Sequence, residues 1–362
     1  NVTHLDCSCN QLTNLIGCPK SVIELKCEHN RLTNLNGCPN SVTLLQCNYN
    51  RLTSLIGCPK SVANLCCNHN QLTTLEGCSN FIEILECYDN KLASLVSCSN
   101  SVTTLHCGSN QLTTLFGCSN SVITLNCSHN QLRTLVGCPG SVAKLYCNDN
   151  RLTSLAGCPE SVTHLYCSNN QLTSLNGCSK MVIYLDCGYN LLTSLDGCPN
   201  FVLFLNCCHN QLTTLVGCPE SVNNCMCCKS INKPCWCPGS IVELNCDANQ
   251  LTSLAGCSNL VTKLHCSDNQ LTSLYWCPKS VATLNCNHNR LKNLVGCPES
   301  IEDLYIYANR SLDSRYRKCK LIDIPKINAK ILNEYKIDVF LILRRLNKND
   351  MKIVLRTLNF SN

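Results

Sequence analysis

Residues 15–35 read Leu15-Ile16-Gly17-Cys18-Pro19-Lys20-Ser21-Val22-Ile23-Glu24-Leu25-Lys26-Cys27-Glu28-His29-Asn30-Arg31-Leu32-Thr33-Asn34-Leu35. The frame returns every 20 residues. Its Asn falls at 10, 30, 50 and onward to 210, then at 249, 269, 289 and 309. Counted from the strand at Leu5 to the strand at Leu304, this gives about 16 units, and a repeat of this period predicts a solenoid.

The unit's physics points the same way. Leu25-Lys26-Cys27 alternates apolar and polar, as a strand with one buried face requires. Twenty residues leave too little chain for a regular helix on the return path, which is therefore expected to be extended or 3₁₀. Pro19 fits such a segment because it has no N–H to donate. One unit cannot bury its own Leu face, so neighbours must stack. The strands then form one long parallel sheet on the concave side, about 70 Å long at the strand spacing. The Asn column has a structural reason. The chain turns inward after each strand, and an amide supplies both donors and an acceptor to the stranded backbone groups.

The pattern Val22-x-x-Leu25-x-Cys27-x-x-Asn30-x-Leu32-x-x-Leu35 resembles the leucine-rich repeat family, with Cys at the third apolar position, over about 309 of the 362 residues. It is similar to the short 20-residue class of bacterial effector proteins, whose units have Leu-Pro-x-Leu-Pro where this chain has Leu15-Ile16-Gly17-Cys18-Pro19. Leucine-rich proteins of giant viruses of amoebae look similar too. The resemblance implies a right-handed superhelix that binds other proteins.

Composition excludes several classes. A hydrophobic fraction of 44% rules out disorder, and 16 Gly with 12 Pro rule out collagen. No run of 18 apolar residues is present, so no membrane-spanning helix is expected. The net charge of +6 is uneven: residues 310–362 carry 13 Lys+Arg against 5 Asp+Glu, while residues 1–309 have a net charge of −2. Basic residues do not line the body, so no nucleic-acid partner is expected. Sequons begin at Asn1, Asn126, Asn309 and Asn359, too few to argue secretion. The chain begins inside the first unit with no recognisable N-terminal cap, which predicts sequence upstream.

The 37 Cys sort by column. Fifteen sit in the strand (Cys7, Cys27, Cys47 and onward), and fifteen in the Gly-Cys-Pro/Ser segment (Cys18, Cys38, Cys58 and onward). Seven are extra: Cys9, Cys66, Cys208, Cys225, Cys228, Cys235 and Cys319. Buried free thiols, a disulfide ladder and metal ligation compete. In-register neighbours about 4.8 Å apart are too distant for an unstrained disulfide, and buried thiols substitute for small aliphatic groups. A reducing, intracellular setting follows: host cytoplasm, if the chain is viral or effector-like. Residues 221–239 form an irregular unit that loses the Asn. Cys225, Cys228 and Cys235 there, with Cys208 of the preceding unit, are candidate zinc or redox ligands, with Cys208 and Cys228 expected on adjacent strands and facing outward. A degenerate repeat competes with that reading.

Concave positions vary where the Leu columns do not. Along the strands one column reads Asp6, Lys26, Gln46, Cys66, Glu86, His106, Asn126, Tyr146, Tyr166, Asp186, Asn206, Met226, Asn245, His265, Asn285 and Tyr305. Variation beside rigid columns suits recognition, and it also suits any solvated face. Units 8 to 11 gather Tyr146, Tyr166, Tyr184, Tyr189 and Phe204 with His164, Asp186 and His209. Exposed aromatics of this kind anchor protein interfaces; the alternative is rings lying flat on the sheet. Glu86 and His106 complete the candidate partner-binding set.

No phosphate-binding loop, dinucleotide fingerprint, nucleophile elbow or His-Glu-x-x-His motif occurs, so an enzyme is not expected, nor a cofactor. The effectors that the chain resembles often carry a ubiquitin ligase domain, and here only about 50 residues follow the last unit. The basic tail, 310–362, reads as a helical cap. Ile327, Ile331, Tyr335, Val339, Ile342 and Leu346 form one helical stripe, and Met351, Val354, Leu355 and Leu358 another. Three functions follow as expectations: a protein-binding scaffold with an unidentified and possibly host partner; the substrate-recognition module of a ubiquitin ligase; or a Cys-rich metal- or redox-binding protein. The oligomeric state is open.

Overall fold

The computed structural model describes residues 2–219, 242–316 and 319–334. Among them run fifteen strands of three residues each, from β1 (His4–Asp6) to β15 (Asp303–Tyr305), in one parallel sheet whose spatial order follows the chain. Each strand pairs Leu on Leu, as in Leu5↔Leu25 and Leu25↔Leu45. The middle Leu of each strand points inward and its two flanking residues outward, so Leu25 is fully buried while Glu24 and Lys26 stay half-exposed. The return path has no helix. Its turns are closed by Cys18 N–H to the Leu15 carbonyl at 3.1 Å and Val22 N–H to the Pro19 carbonyl at 3.2 Å.

The Asn column ties each unit to the one before. Asn30 Oδ1 accepts from Leu12 N–H at 2.9 Å. Its Nδ2 donates to the carbonyls of Cys7, Cys27 and Glu28 at 3.0–3.1 Å. One amide thereby satisfies main-chain groups of two units, the role that the sequence assigned to it.

The return path also carries a Gly column in the left-handed region. Gly77, at φ +87°, passes so close to the preceding unit that a Cβ would lie 2.5 Å from the Leu55 carbonyl. Ser97 occupies this column at φ +71°.

Of the sixteen expected strands, fifteen fall among the described residues. β11 (Phe204–Asn206) pairs directly with β12 (Glu243–Asn245), with Phe204↔Glu243 in register. The Asn ladder crosses this junction unbroken: Asn249 Nδ2 donates to the Cys207 carbonyl at 3.1 Å, and its Oδ1 accepts from Leu212 N–H at 3.0 Å. The strand expected around Met226 lies outside the described residues. That unit has no Asn to satisfy its turn and has Cys225 where the strand Leu belongs.

At the far end, α1 (Ile324–Glu334) packs Ile324 and Ile331 into the core. Asn328 Nδ2 donates to the Leu294 carbonyl at 2.9 Å and its Oδ1 accepts from the Tyr316 hydroxyl. Tyr335 and the rest of both expected helical stripes beyond it lie outside the described residues.

Candidate partner-binding surface

Two outward positions of each strand build the concave face. The first carries Lys144, His164, Tyr184, Phe204, Glu243 and Lys263; the second carries Tyr146, Tyr166, Asp186, Asn206, Asn245 and His265. Their elements are β8 (Lys144–Tyr146), β9 (His164–Tyr166), β10 (Tyr184–Asp186), β11, β12 and β13 (Lys263–His265).

The parallel register places successive rings one strand apart, a distance suited to stacking. Tyr146 and Tyr166 stack with centroids 4.4 Å apart and planes 8° apart. The strip then crosses diagonally to the other position: Tyr166–Tyr184 at 4.9 Å and Tyr184–Phe204 at 5.8 Å, both tilted. His164 joins at 6.2 Å from Tyr184. Burial, then the neighbouring Tyr146 and Tyr184, pushes the Tyr166 hydroxyl up. Burial, then Lys144, lowers the His164 imidazole. Asp186 lies beside the strip and accepts from Gly188 N–H at 3.2 Å and Asn206 Nδ2 at 3.0 Å. Burial holds its carboxyl above the usual range.

The structure thus brings Tyr146, Tyr166, His164, Tyr184, Asp186 and Phe204 together. It sets the other candidates apart. Tyr189 and His209 stack at 4.1 Å at the turn after the strands, where both take positive φ. Glu86 on β5 (Ile84–Glu86) and His106 on β6 (Thr104–His106) meet 4.0 Å apart, away from the aromatic strip.

A second strip was missed from sequence. His29, Tyr49 and His69 stack at 4.3 and 4.2 Å, and Tyr88 meets His69 edge-on at 5.8 Å. His69 Nδ1 lies 2.6 Å from Asp89 Oδ2. The residue before each ladder Asn takes the left-handed conformation, so His29, Tyr49 and His69 line up. The signal was present in the column of residues preceding Asn.

The strand cysteines from Cys27 to Cys207 and from Cys246 to Cys286 are fully buried. Several thiols donate to the carbonyl of the next strand, as Cys27 does to Gln46 at 3.4 Å and Cys67 to Glu86 at 3.2 Å. Desolvation pushes Cys127 up to about 12 and Cys147 further. The second column is mostly half-buried at the core edge rather than inside it. The described cysteines from Cys7 to Cys208 and from Cys246 to Cys319 are free thiols. Cys208 lies on the concave side, near Asp186, Asn206 and Asp247, but is covered there, at 8% exposed. Its neighbour in register, just after β12, is Asp247 rather than Cys228. Cys225, Cys228 and Cys235 lie outside the described residues. Among the described residues no three His, Cys, Asp or Glu side chains are arranged to hold a metal, and no helix is long and apolar enough to cross a membrane.

Stacked Leu strands on one face, a helix-free return path and an Asn ladder define a leucine-rich repeat solenoid. Solved structures bear this out. The leucine-rich effector YopM of Yersinia pestis is 24% identical, with 84% of this chain and 83% of that one covered, at a TM-score of 0.67. A leucine-rich repeat protein of Leptospira interrogans is 20% identical, with 88% and 93% covered, at 0.62. The functional domain of InlJ from Listeria monocytogenes, which includes a cysteine ladder, is 22% identical, with 83% and 70% covered, at 0.55. No family model matches the chain, and no curated protein matches its sequence.

Proposed function

We propose that this chain is a non-enzymatic scaffold that binds a protein partner on its concave sheet, centred on the strip Tyr146–Tyr166–Tyr184–Phe204. The continuous stack carries the reading. Four large rings held on rigid strands present apolar area with little ordering cost on association, and Tyr is enriched among interface anchors. His164 and Asp186 border the strip. Tyr189, His209, Glu86 and His106 belong to a wider rim of the same surface. The free thiols suit an intracellular setting, and residues 310–362 form the C-terminal cap of the 1–309 solenoid.

A photo-crosslinking residue placed at Tyr166, compared with one at Phe116 on the return path, tests the assignment. Capture from Tyr166 that is lost in the Tyr146→Ala variant supports it. Equal capture from both positions overturns it. The likeness to a Yersinia effector favours a second reading, in which the solenoid recognises substrates for a ubiquitin ligase whose catalytic part lies in another chain. Ligase subunits would then co-purify with the captured protein.

A further inference from the structure

Resting on the concave-face reading, we infer that the partner docks over β10–β12 through a basic segment, with an arginine seated on Phe204 beside the Glu243 carboxylate and neighbouring basic residues directed toward Asp186 and Asp247. Two observations combine. The first is which ring faces remain free. Tyr166 and Tyr184 are covered by rings on both sides, whereas Tyr146 and Phe204 end the strip with one ring neighbour each among the described residues; of the two, Phe204, 42% exposed, is the more open. Its β12 side faces the position of its register partner, Glu243. An aromatic face with a carboxylate beside it suits a guanidinium, which stacks through its plane and pairs through its edge.

The second is charge left unmatched. After burial, the main cause, Asp186 and Glu243 are near enough to raise the Tyr184 hydroxyl, and Asp186 and Asp247 to raise the Cys208 thiol. None of the three carboxylates forms an ion pair with a Lys or Arg among the described residues. Lys263 stands opposite Glu243 in register, and Lys144 lies beyond His164 at the other end of the row. Burial already disfavours the charged forms of Asp186 and Asp247. A partner cation offsets that cost, whereas an acidic partner would add to it.

The test uses the full chain and a labelled peptide alternating Arg with Ser, read by fluorescence anisotropy. A matched citrulline peptide keeps the shape and removes the charge; a Glu peptide reverses it. The arginine peptide should bind at least tenfold tighter than either, and more weakly as salt rises. Glu243→Gln and Phe204→Ala should each weaken it at least threefold, while Glu160→Gln on the return path leaves it unchanged. Should Asp186→Asn alter folding, Glu243→Gln, outside the core, carries the test. Equal binding of the citrulline peptide, or an equal loss in Glu160→Gln, overturns the inference. If the protein crosslinked at Tyr166 is lost in Tyr146→Ala yet is not displaced by the arginine peptide, the concave interface stands and the basic-segment inference fails.

Discussion

A single amide makes four backbone hydrogen bonds in most turns of this coil, so its removal there should be costly. Asn130 accepts from Leu112 N–H and donates to the carbonyls of Cys107, Cys127 and Ser128. Asn130→Ala leaves a buried N–H without an acceptor and should destabilise the fold by roughly 3 kcal/mol in urea unfolding. Asn10, exposed at the first turn, donates only to Cys7 and Ser8 of its own unit, so Asn10→Ala should cost a small fraction of that. Ser97 sits where other units place Gly at positive φ, so Ser97→Gly should stabilise by about 0.5–1 kcal/mol, read as a raised Tm. Tyr146→Ala and Tyr166→Ala should each weaken binding of the crosslinked partner by more than about 1 kcal/mol by calorimetry. Unchanged affinity would move the interface off the strip.

The strand is the element that the sequence made most legible. Leu, Cys and Asn recur at fixed offsets because burial and the turn leave no choice at those positions, so fifteen of the sixteen expected strands stand where the pattern placed them. The remaining expected strand lies outside the described residues: the Cys225-Met226-Cys227 segment keeps its strand Cys but lacks Asn and Leu, and β11 pairs directly with β12. The candidate surface was legible as columns of residue types. Its diagonal stacking was not, because ring rotamers answer to neighbours on adjacent strands rather than to periodicity. The bypass has a consequence. Removing residues 220–238 brings Glu243 to 20 positions after Phe204, the spacing of every regular unit. The deletion variant should therefore keep its cooperative melt and gain up to about 1 kcal/mol from the shorter closed loop. Loss of cooperativity in circular dichroism would show that the segment supports the sheet.

For the molecule as a whole, building a core from sulfur sets an alkaline limit on stability. Thirteen strand cysteines are fully buried, and desolvation, the leading cause, raises each thiol above its ordinary value near 9. Cys127 and Cys286 reach about 12. The folded protein thus keeps protons that the unfolded chain releases. Their contribution is complete below pH 9 and falls as pH rises toward the folded values, because above pH 9 the unfolded state binds fewer protons. At pH 10 each such thiol costs roughly 1.4 kcal/mol, so thirteen together exceed the roughly 5–15 kcal/mol that holds a domain folded. Under reducing conditions Tm should therefore drop steeply between pH 8 and pH 10, and iodoacetamide should label the strand column only in step with unfolding. Replacing three neighbours, as in Cys107→Val, Cys127→Val and Cys147→Val, should return about 4 kcal/mol of the loss at pH 10 relative to the unmodified chain, after subtracting any change seen at pH 7. A Tm that held level to pH 10.5, or strand thiols that reacted at pH 8 in the folded protein, would mean that water reaches this column, and the dry sulfur core would have to be abandoned.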